Sequence, residues 1–177
     1  MCRFAALAIL LVPLVASAEP ADFYGRAGIG LGGFSPPDFG GGVVVYDFAA
    51  AARLGDVWLR GALTVAELGY GSSDQLYEPH AGIEWRADRP HTGAFIGIDA
   101  GWARGDGYVE DGSRFISAPF VMPRGGLEFG GAHVRVQLTL ELAFGYGRFI
   151  DTSVSPAPVD ERTQMGGANL ELGLIVR

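Results

Sequence analysis

The sequence predicts an all-β fold, an eight-stranded antiparallel up-and-down β-barrel, and three observations carry that expectation. From Phe23 onward apolar residues recur at every second position, the period of a strand whose two faces meet different surroundings. The runs are separated by clusters of glycine, proline and aspartate that act as turn signals. Connections alternate in length, as they do when the two ends of an up-and-down barrel carry tight turns and longer loops respectively.

Composition bounds the rest. The chain has 177 residues, enough for one such domain, and 28 of them are glycine. No Gly-X-Y period accompanies the glycine, which excludes collagen, and 49% hydrophobic with 19% charged residues argues against disorder. A formal net charge of −7 leaves nothing to neutralise a row of phosphates, so no nucleic-acid partner is expected. All 13 basic residues are arginine.

In chain order, residues 1–18 come first. Arg3 supplies a short positive start, residues 4–15 are apolar but for Pro13, and Ala16-Ser17-Ala18 matches the small-x-small pattern of a cleavage site. The run is shorter than the ~20 residues of a membrane helix. A secretory signal peptide cleaved after Ala18 is expected, with residues 19–177 forming a single β-barrel domain; a buried N-terminal helix is the plainer alternative. Cys2 precedes the apolar run, so it is not a lipoprotein cysteine, and cleavage would leave an exported domain without a disulfide. The longest later apolar stretch, Val43 to Ala52, contains Asp47, so any membrane contact would be made by strands.

The first two strands are read at Phe23 to Phe34, where glycine blurs the pattern, and at Gly42 to Arg53. Val57 to Tyr70 sets Val57, Leu59, Leu63 and Val65 against Arg60 and Thr64; its phase slips near Ala66, as a bulge would produce. Gln75 to Ala87 sets Tyr77, Ala81, Ile83 and Trp85 against Glu78, His80, Gly82, Glu84 and Arg86. Thr92 to Arg104 sets Ala94, Ile96, Ile98, Ala100 and Trp102 against Gly93, Phe95, Gly97, Asp99 and Gly101. Phe115 to Phe129 slips around Pro123 to Gly126, between Ile116, Ala118 and Phe120 and the later Leu127 and Phe129. Ala132 to Tyr146 alternates most clearly, with Val134, Val136, Leu138, Leu140, Leu142, Phe144 and Tyr146 on one face, and the last segment repeats this from Ala168 to Val176. Short turns are expected at residues 53–56, 88–91 and 130–131, and the other connections at 35–41, 71–74, 105–113 and 149–164.

Two barrels share this pattern. A water-soluble one points its apolar face inward; a transmembrane β-barrel points it at lipid and fills the interior with polar groups. Aromatics near strand ends, among them Tyr70, Tyr77, Trp102, Phe144 and Tyr146 at the loop end and Phe23, Trp85 and Phe129 at the turn end, favour the transmembrane reading. So does a polar face of glycine, alanine, arginine and glutamate rather than dense, lysine-rich charge.

On these residues the chain resembles the small eight-stranded bacterial outer-membrane barrels, of the type of the outer membrane protein A membrane domain and outer membrane protein X. The resemblance covers nearly all of residues 23–177 and is architectural. It implies a protein of the outer membrane, inserted by the barrel assembly machinery and surrounded by outer-membrane lipid and lipopolysaccharide. Such barrels usually close on a strand with an aromatic last residue; here Val176 takes that outward position, before Arg177.

The inward candidates are Arg26, Arg60, Glu78, His80, Glu84, Arg86, Asp99, Glu128, Arg135, Glu141 and Glu171. An unpaired charge in a narrow lumen costs several kcal/mol, and the planar arginine fork can bridge carboxylates. A lumen charge network of Arg60, Arg86 and Arg135 with Glu84, Glu128, Glu141 and Glu171 is therefore expected, although coding bias alone would also explain arginine-only usage. An eight-stranded interior is just wide enough for side chains to fill, which disfavours an open porin.

No catalytic constellation appears. His80, His91 and His133 fall on a strand, in a turn and at a strand end, an unsuitable set for a metal, and His80 reads as a hydrogen-bonded lumen residue. Neither a His-x-Ser pair nor a Gly-x-Ser-x-Gly elbow occurs. No cofactor is implied. Asp106, Glu110 and Asp111 are candidate surface-loop contacts; with Asp151, Asp160 and Glu161 they form an acidic rim, either simply solvated or bridged to lipopolysaccharide by divalent cations. Arg104-Gly105-Asp106, an integrin-type tripeptide, recurs by chance too often to carry weight. The functional expectation is a structural or surface-interaction barrel without enzymatic activity. A soluble periplasmic or secreted barrel holding an apolar ligand is the first alternative, and a lipid-modifying outer-membrane enzyme the second.

Overall fold

Alternation along the chain yields eight strands: β1 (Phe23–Ser35), β2 (Val43–Leu54), β3 (Val57–Leu68), β4 (Gln75–Asp88), β5 (Thr92–Val109), β6 (Gly112–Gly130), β7 (Val134–Asp151) and β8 (Val159–Val176). The structure, a computed structural model, describes residues 22–35, 43–68, 75–109, 112–152 and 159–177. The expected signal peptide lies outside the described residues, as do Tyr70, Glu110 and Asp111.

Each strand pairs antiparallel with its sequence neighbours, and β1 pairs with β8 to close the ring. Closure pairs both edges of each strand through the body of the barrel; among the described residues, 159–165 of β8 have no β1 partner and 107–109 of β5 no β4 partner. A hydrogen-bonded row starting at Gly25 runs through Ala50, Gly61, Ala81, Ala100, Val121, Phe144 and Gly166. It returns to β1 at Ser35, ten residues beyond its start. That stagger tilts the strands against the barrel axis, so rows climb as they circle it.

The turn end is tight. Leu54 faces Val57 across a two-residue turn whose first central residue, Gly55, has φ +63°. A positive φ at that position is the type II′ hairpin geometry that favours glycine. At the loop end the two halves differ: β1–β4 have 12 to 14 residues each, β5–β8 have 18 or 19. Since β5 continues to Val109 and β6 begins at Gly112, most of the connection expected at 105–113 is paired strand; 149–164 likewise shrinks to 152–158.

Neither expected phase slip occurs. β3 pairs with both neighbours in one uninterrupted register through Ala66, which is buried, while Glu67 faces outward at the loop end. No bulge is required, because a charged outward residue is tolerated there beyond the apolar band. β6 keeps one register with β5 from Thr92↔Phe129 to Val109↔Gly112. Ile116, Ala118 and Phe120 therefore point inward in phase with Arg124 and Glu128, and Pro119 and Pro123 lie on the outward side.

The interior is layered instead of uniformly polar. Towards the loops it is apolar, built from Val45, Leu76, Ile116, Phe120, Met122, Phe149 and Met165 among others. Near the turns Tyr24, Ala51, Trp58 and Ile175 form a second apolar layer. Charged side chains occupy the level between and continue past the second layer to Asp88, Arg135 and Arg177 at the turn end. Inward aromatic and aliphatic residues on tilted strands converge on the axis, so they pack there as a soluble core would.

The outer wall is the reverse. Leu31 is 70% exposed and Ile96 66%, and Leu138, Leu140, Leu142, Leu170, Leu172 and Leu174 are all exposed. Trp85 and Phe129 border this band towards the turns, Trp102, Phe144 and Tyr146 towards the loops. No helix of the described residues is long and apolar enough to cross a membrane.

Candidate functional site

Inward positions along the strands bring charges from all eight strands into one alternating string. Glu171 on β8 accepts from Arg26 on β1 at 2.6 Å, and Arg26 also pairs with Asp47 on β2. Arg60 on β3 bridges Asp47 at 2.9 Å and Asp99 on β5 at 2.5 Å. Arg124 on β6 lies 3.1 Å from Asp99 and 2.6 Å from Glu84 on β4. Arg86 pairs with Glu84 and with Glu128 on β6. Arg135 on β7 then reaches Glu128 at 3.4 Å and Asp88 at 3.1 Å, and Arg177 reaches both at 3.0 and 3.1 Å.

Each arginine in the string, Arg177 at its end included, stands between two carboxylates. That satisfies the fork geometry of the guanidinium, and it offsets the desolvation that a buried charge would otherwise suffer. Arg86 is further enclosed by rings: its guanidinium carbon lies 4.5 Å from the Tyr24 centroid, 5.7 Å from Trp58 and 5.6 Å from Phe95. Tyr24 donates to Glu84 at 2.6 Å, tying the apolar layer near the turns to the charged one.

Glycine makes room for this string. A Cβ at Gly173 would stand 2.8 Å from Arg26 Nε, and one at Gly82 would stand 2.1 Å from the carbonyl oxygen of Ile98 and 2.2 Å from Asp99 Oδ1. The inward glycines on β4 and β8 are thus spaces occupied by charged side chains of neighbouring strands.

Of the residues expected to form a lumen network, Arg86, Arg135, Glu84 and Glu128 meet one another directly. Arg60 instead meets Asp47 and Asp99, and Glu171 meets Arg26. Glu141 stands off the string; Asn169 Nδ2 donates to it at 3.4 Å, and among the described residues no arginine pairs with it. Glu78 is also buried without a basic partner among the described residues. Asp47 and Arg124 were missed, Asp47 because it interrupts an apolar run and Arg124 because of the supposed slip in β6. The single phase linking Arg124 with Glu128 is the signal that would have found it.

His80 sits within this layer, its Nδ1 2.9 Å from Asp99 Oδ2 and its Nε2 3.1 Å from Thr64 Oγ1. The spacing matches a nucleophile–base–acid relay. However, Thr64 also donates to Asp47 at 3.2 Å, Arg60 Nη1 lies 3.3 Å from His80 Nδ1, and the hydroxyl is fully buried. The three residues cross-brace β3, β4 and β5 and present nothing to a substrate. Among the described residues no group of His, Asp and Glu is arranged to hold a metal ion.

Asp106, expected in a loop, lies on β5 opposite Phe115 and is exposed. Asp151 turns inward and is buried. Asp160 accepts from Arg148 Nε at 2.8 Å and Nη2 at 2.6 Å, and these hydrogen bonds hold its carboxyl below the ordinary range. The acidic rim is thereby reduced at two of its expected members.

Substituting Arg135 with methionine removes contacts to Glu128 and Asp88 and to the carbonyl oxygens of Gly131 and Arg89. Glu128 keeps Arg86 and Arg177, so the expected loss is about 1–3 kcal/mol. A lower urea midpoint in detergent micelles is the expected result, and an unchanged midpoint would remove Arg135 from the bracing.

No protein-family model matches the chain, and no curated protein matches it. Among solved structures, the crystal structure of Neisserial surface protein A is similar to it with TM-score 0.69 at 14% identity, over 87% of this chain and 96% of that one. The N-terminal β-barrel domain of OprF from Pseudomonas aeruginosa, also 14% identical, aligns over 85% of this chain and 96% of that domain with TM-score 0.46. The first likeness speaks for the fold, the closed eight-stranded antiparallel barrel that the sequence resemblance implied.

Proposed function

We propose that this chain spans an outer membrane as a structural or surface-interaction barrel whose lumen is filled by side chains. The observation that carries the proposal is the inversion of the two surfaces. Large aliphatic side chains cover the outer wall, while ion-paired arginines, aspartates and glutamates lie buried within. In water such a wall would be an apolar patch far beyond the few hundred Å² that soluble monomers tolerate. In a bilayer it is the required surface, with aromatic residues at both borders.

The same inversion counts against a soluble barrel with an apolar ligand inside, since apolar layers and the charged string already occupy the interior. It supports a filled lumen over an open porin. An enzymatic role finds no support in the buried Thr64–His80–Asp99 relay. The surrounding partners on this reading are outer-membrane lipid and lipopolysaccharide, and the barrel assembly machinery inserts the chain.

Cell fractionation with gel migration tests the reading. The protein is expected in the outer-membrane fraction, and unheated samples should migrate differently from boiled ones because the closed barrel resists denaturation by detergent. Recovery in the soluble periplasmic fraction would overturn it.

A further inference from the structure

The outward-facing cations are confined to one wall. Among the described residues, no outward position of β1–β4 carries a basic side chain, whereas β5, β7 and β8 present Arg104, Arg148 and Arg162. These three lie on one hydrogen-bonded row: Arg104 faces Ser117, Ser117 faces Arg148, and Arg148 faces Arg162. Two residues nearer the membrane, the same strands carry Trp102, Pro119, Tyr146 and Gln164. On β5 and β7 the arginine is thus the first outward position beyond the aromatic border.

The row is short of anions. Arg148 and Arg162 stand directly opposite each other, and like charges so placed are destabilising. Asp160 takes two donors of Arg148, but Arg162 has no ion pair among the described residues. Arg104 has its guanidinium carbon 5.9 Å from the centroid of the Phe115 ring. The next outward row up bears Asp106 and Asp160, so an incoming anion meets the arginines most favourably from the membrane side.

We propose that Arg104, Arg148 and Arg162 form a binding site on the outer wall for the phosphates of an outer-leaflet glycolipid. The lipid's acyl chains lie along the apolar band beneath, and its phosphates accept from the arginines. With strands ~4.8 Å apart and tilted by ~40°, the row climbs about 3 Å per strand. It therefore suits a headgroup with more than one phosphate, such as lipopolysaccharide, better than a single-phosphate lipid. The extended loop-end halves of β5–β8 are what raise these residues to headgroup level. This proposal rests on the outer-membrane reading above, and it differs from cation bridging by an acidic rim in needing no metal.

Purified barrel refolded in a neutral detergent should be titrated with bis-phosphorylated lipid A, with the dephosphorylated lipid, and with inorganic pyrophosphate as a free-anion competitor. Wild type is expected to bind the phosphorylated lipid at least about tenfold more tightly than Arg148→Gln/Arg162→Gln, with Arg104→Gln intermediate, and to be indifferent to a chelator. Glu67→Gln, on the opposite wall, should bind as wild type does. Equal binding by the double variant would overturn the site. Loss of wild-type binding on chelation would assign the contact to bridging cations, and displacement by equimolar pyrophosphate would assign it to a free anion; either result overturns the proposal. Each variant is also fractionated from cells. If the barrel fractionates with the outer membrane but fails the titration, the site alone is lost; a soluble wild type would remove the reading beneath it.

Discussion

Arg60→Met is expected to destabilise the barrel by about 3–5 kcal/mol, the cost of leaving buried carboxylates without their shared cation. Arg60 is 2% exposed and holds both Asp47 and Asp99, which belong to strands not adjacent to each other. Methionine fills similar volume, so the effect isolates charge from packing. Asp47 would keep Arg26 and Thr64, and Asp99 would keep His80 and Arg124, which places the expected value towards the lower end of the range. The measurement is the urea midpoint in detergent, read by tryptophan fluorescence and by gel migration. A second variant separates the pair from the fold: Arg60→Met combined with Asp47→Asn should lose less than the sum of the two single changes. Strict additivity would show that the two residues do not act as a pair.

Leu140→Arg carries the second large effect, and its size depends on the solvent outside. Leu140 lies mid-strand on β7, 51% exposed, facing Gly125 on one side and Leu170 on the other. At the midplane of a bilayer an outward arginine costs ~2–4 kcal/mol. In water the same substitution on an exposed strand would stay within about 0.5 kcal/mol and improve solubility. Folding into lipid vesicles should therefore be strongly impaired for Leu140→Arg. Arg148, on the same outward face eight residues further on, shows that β7 itself accepts arginine once the position lies above the band. Unimpaired folding of Leu140→Arg into vesicles would argue that this wall does not face lipid.

Both predictions use features of different legibility. The outward face of β7 was fully readable, because residues 134–146 alternate without interruption and a strand's side-chain period is two. The inward arginines and glutamates on β3, β4, β7 and β8 were readable for the same reason. Their pairing was not. Arg60 and Asp99 are 39 positions apart on non-adjacent strands, and Arg26 and Glu171 are 145 apart across the seam that closes the ring. Which carboxylate an arginine meets depends on stagger and tilt, and these follow from all eight registers together.

The apparent slips in β3 and β6 show how local reading misled. At Glu67 a charge lay on the apolar phase, and at Ile116, Ala118 and Phe120 apolar residues lay on the polar phase, so a bulge looked necessary. Both exceptions vanish once height is considered. Outward charge is admissible above the membrane band, and inward apolar residues are admissible where the interior is packed rather than wet.

What the sequence determined by itself is therefore the number of strands, the face each residue takes along most of them, and the excess of glycine on the inward face. These follow from a period of two and from turn chemistry, both local properties of the chain. What only the tertiary structure decided is the order of layers inside, the alternating string from Glu171 to Arg177, and the single row that aligns Arg104, Arg148 and Arg162. Those depend on how far each strand is shifted against the next, and a closed ring sets that shift globally: a change of one register would have to be absorbed by all the others.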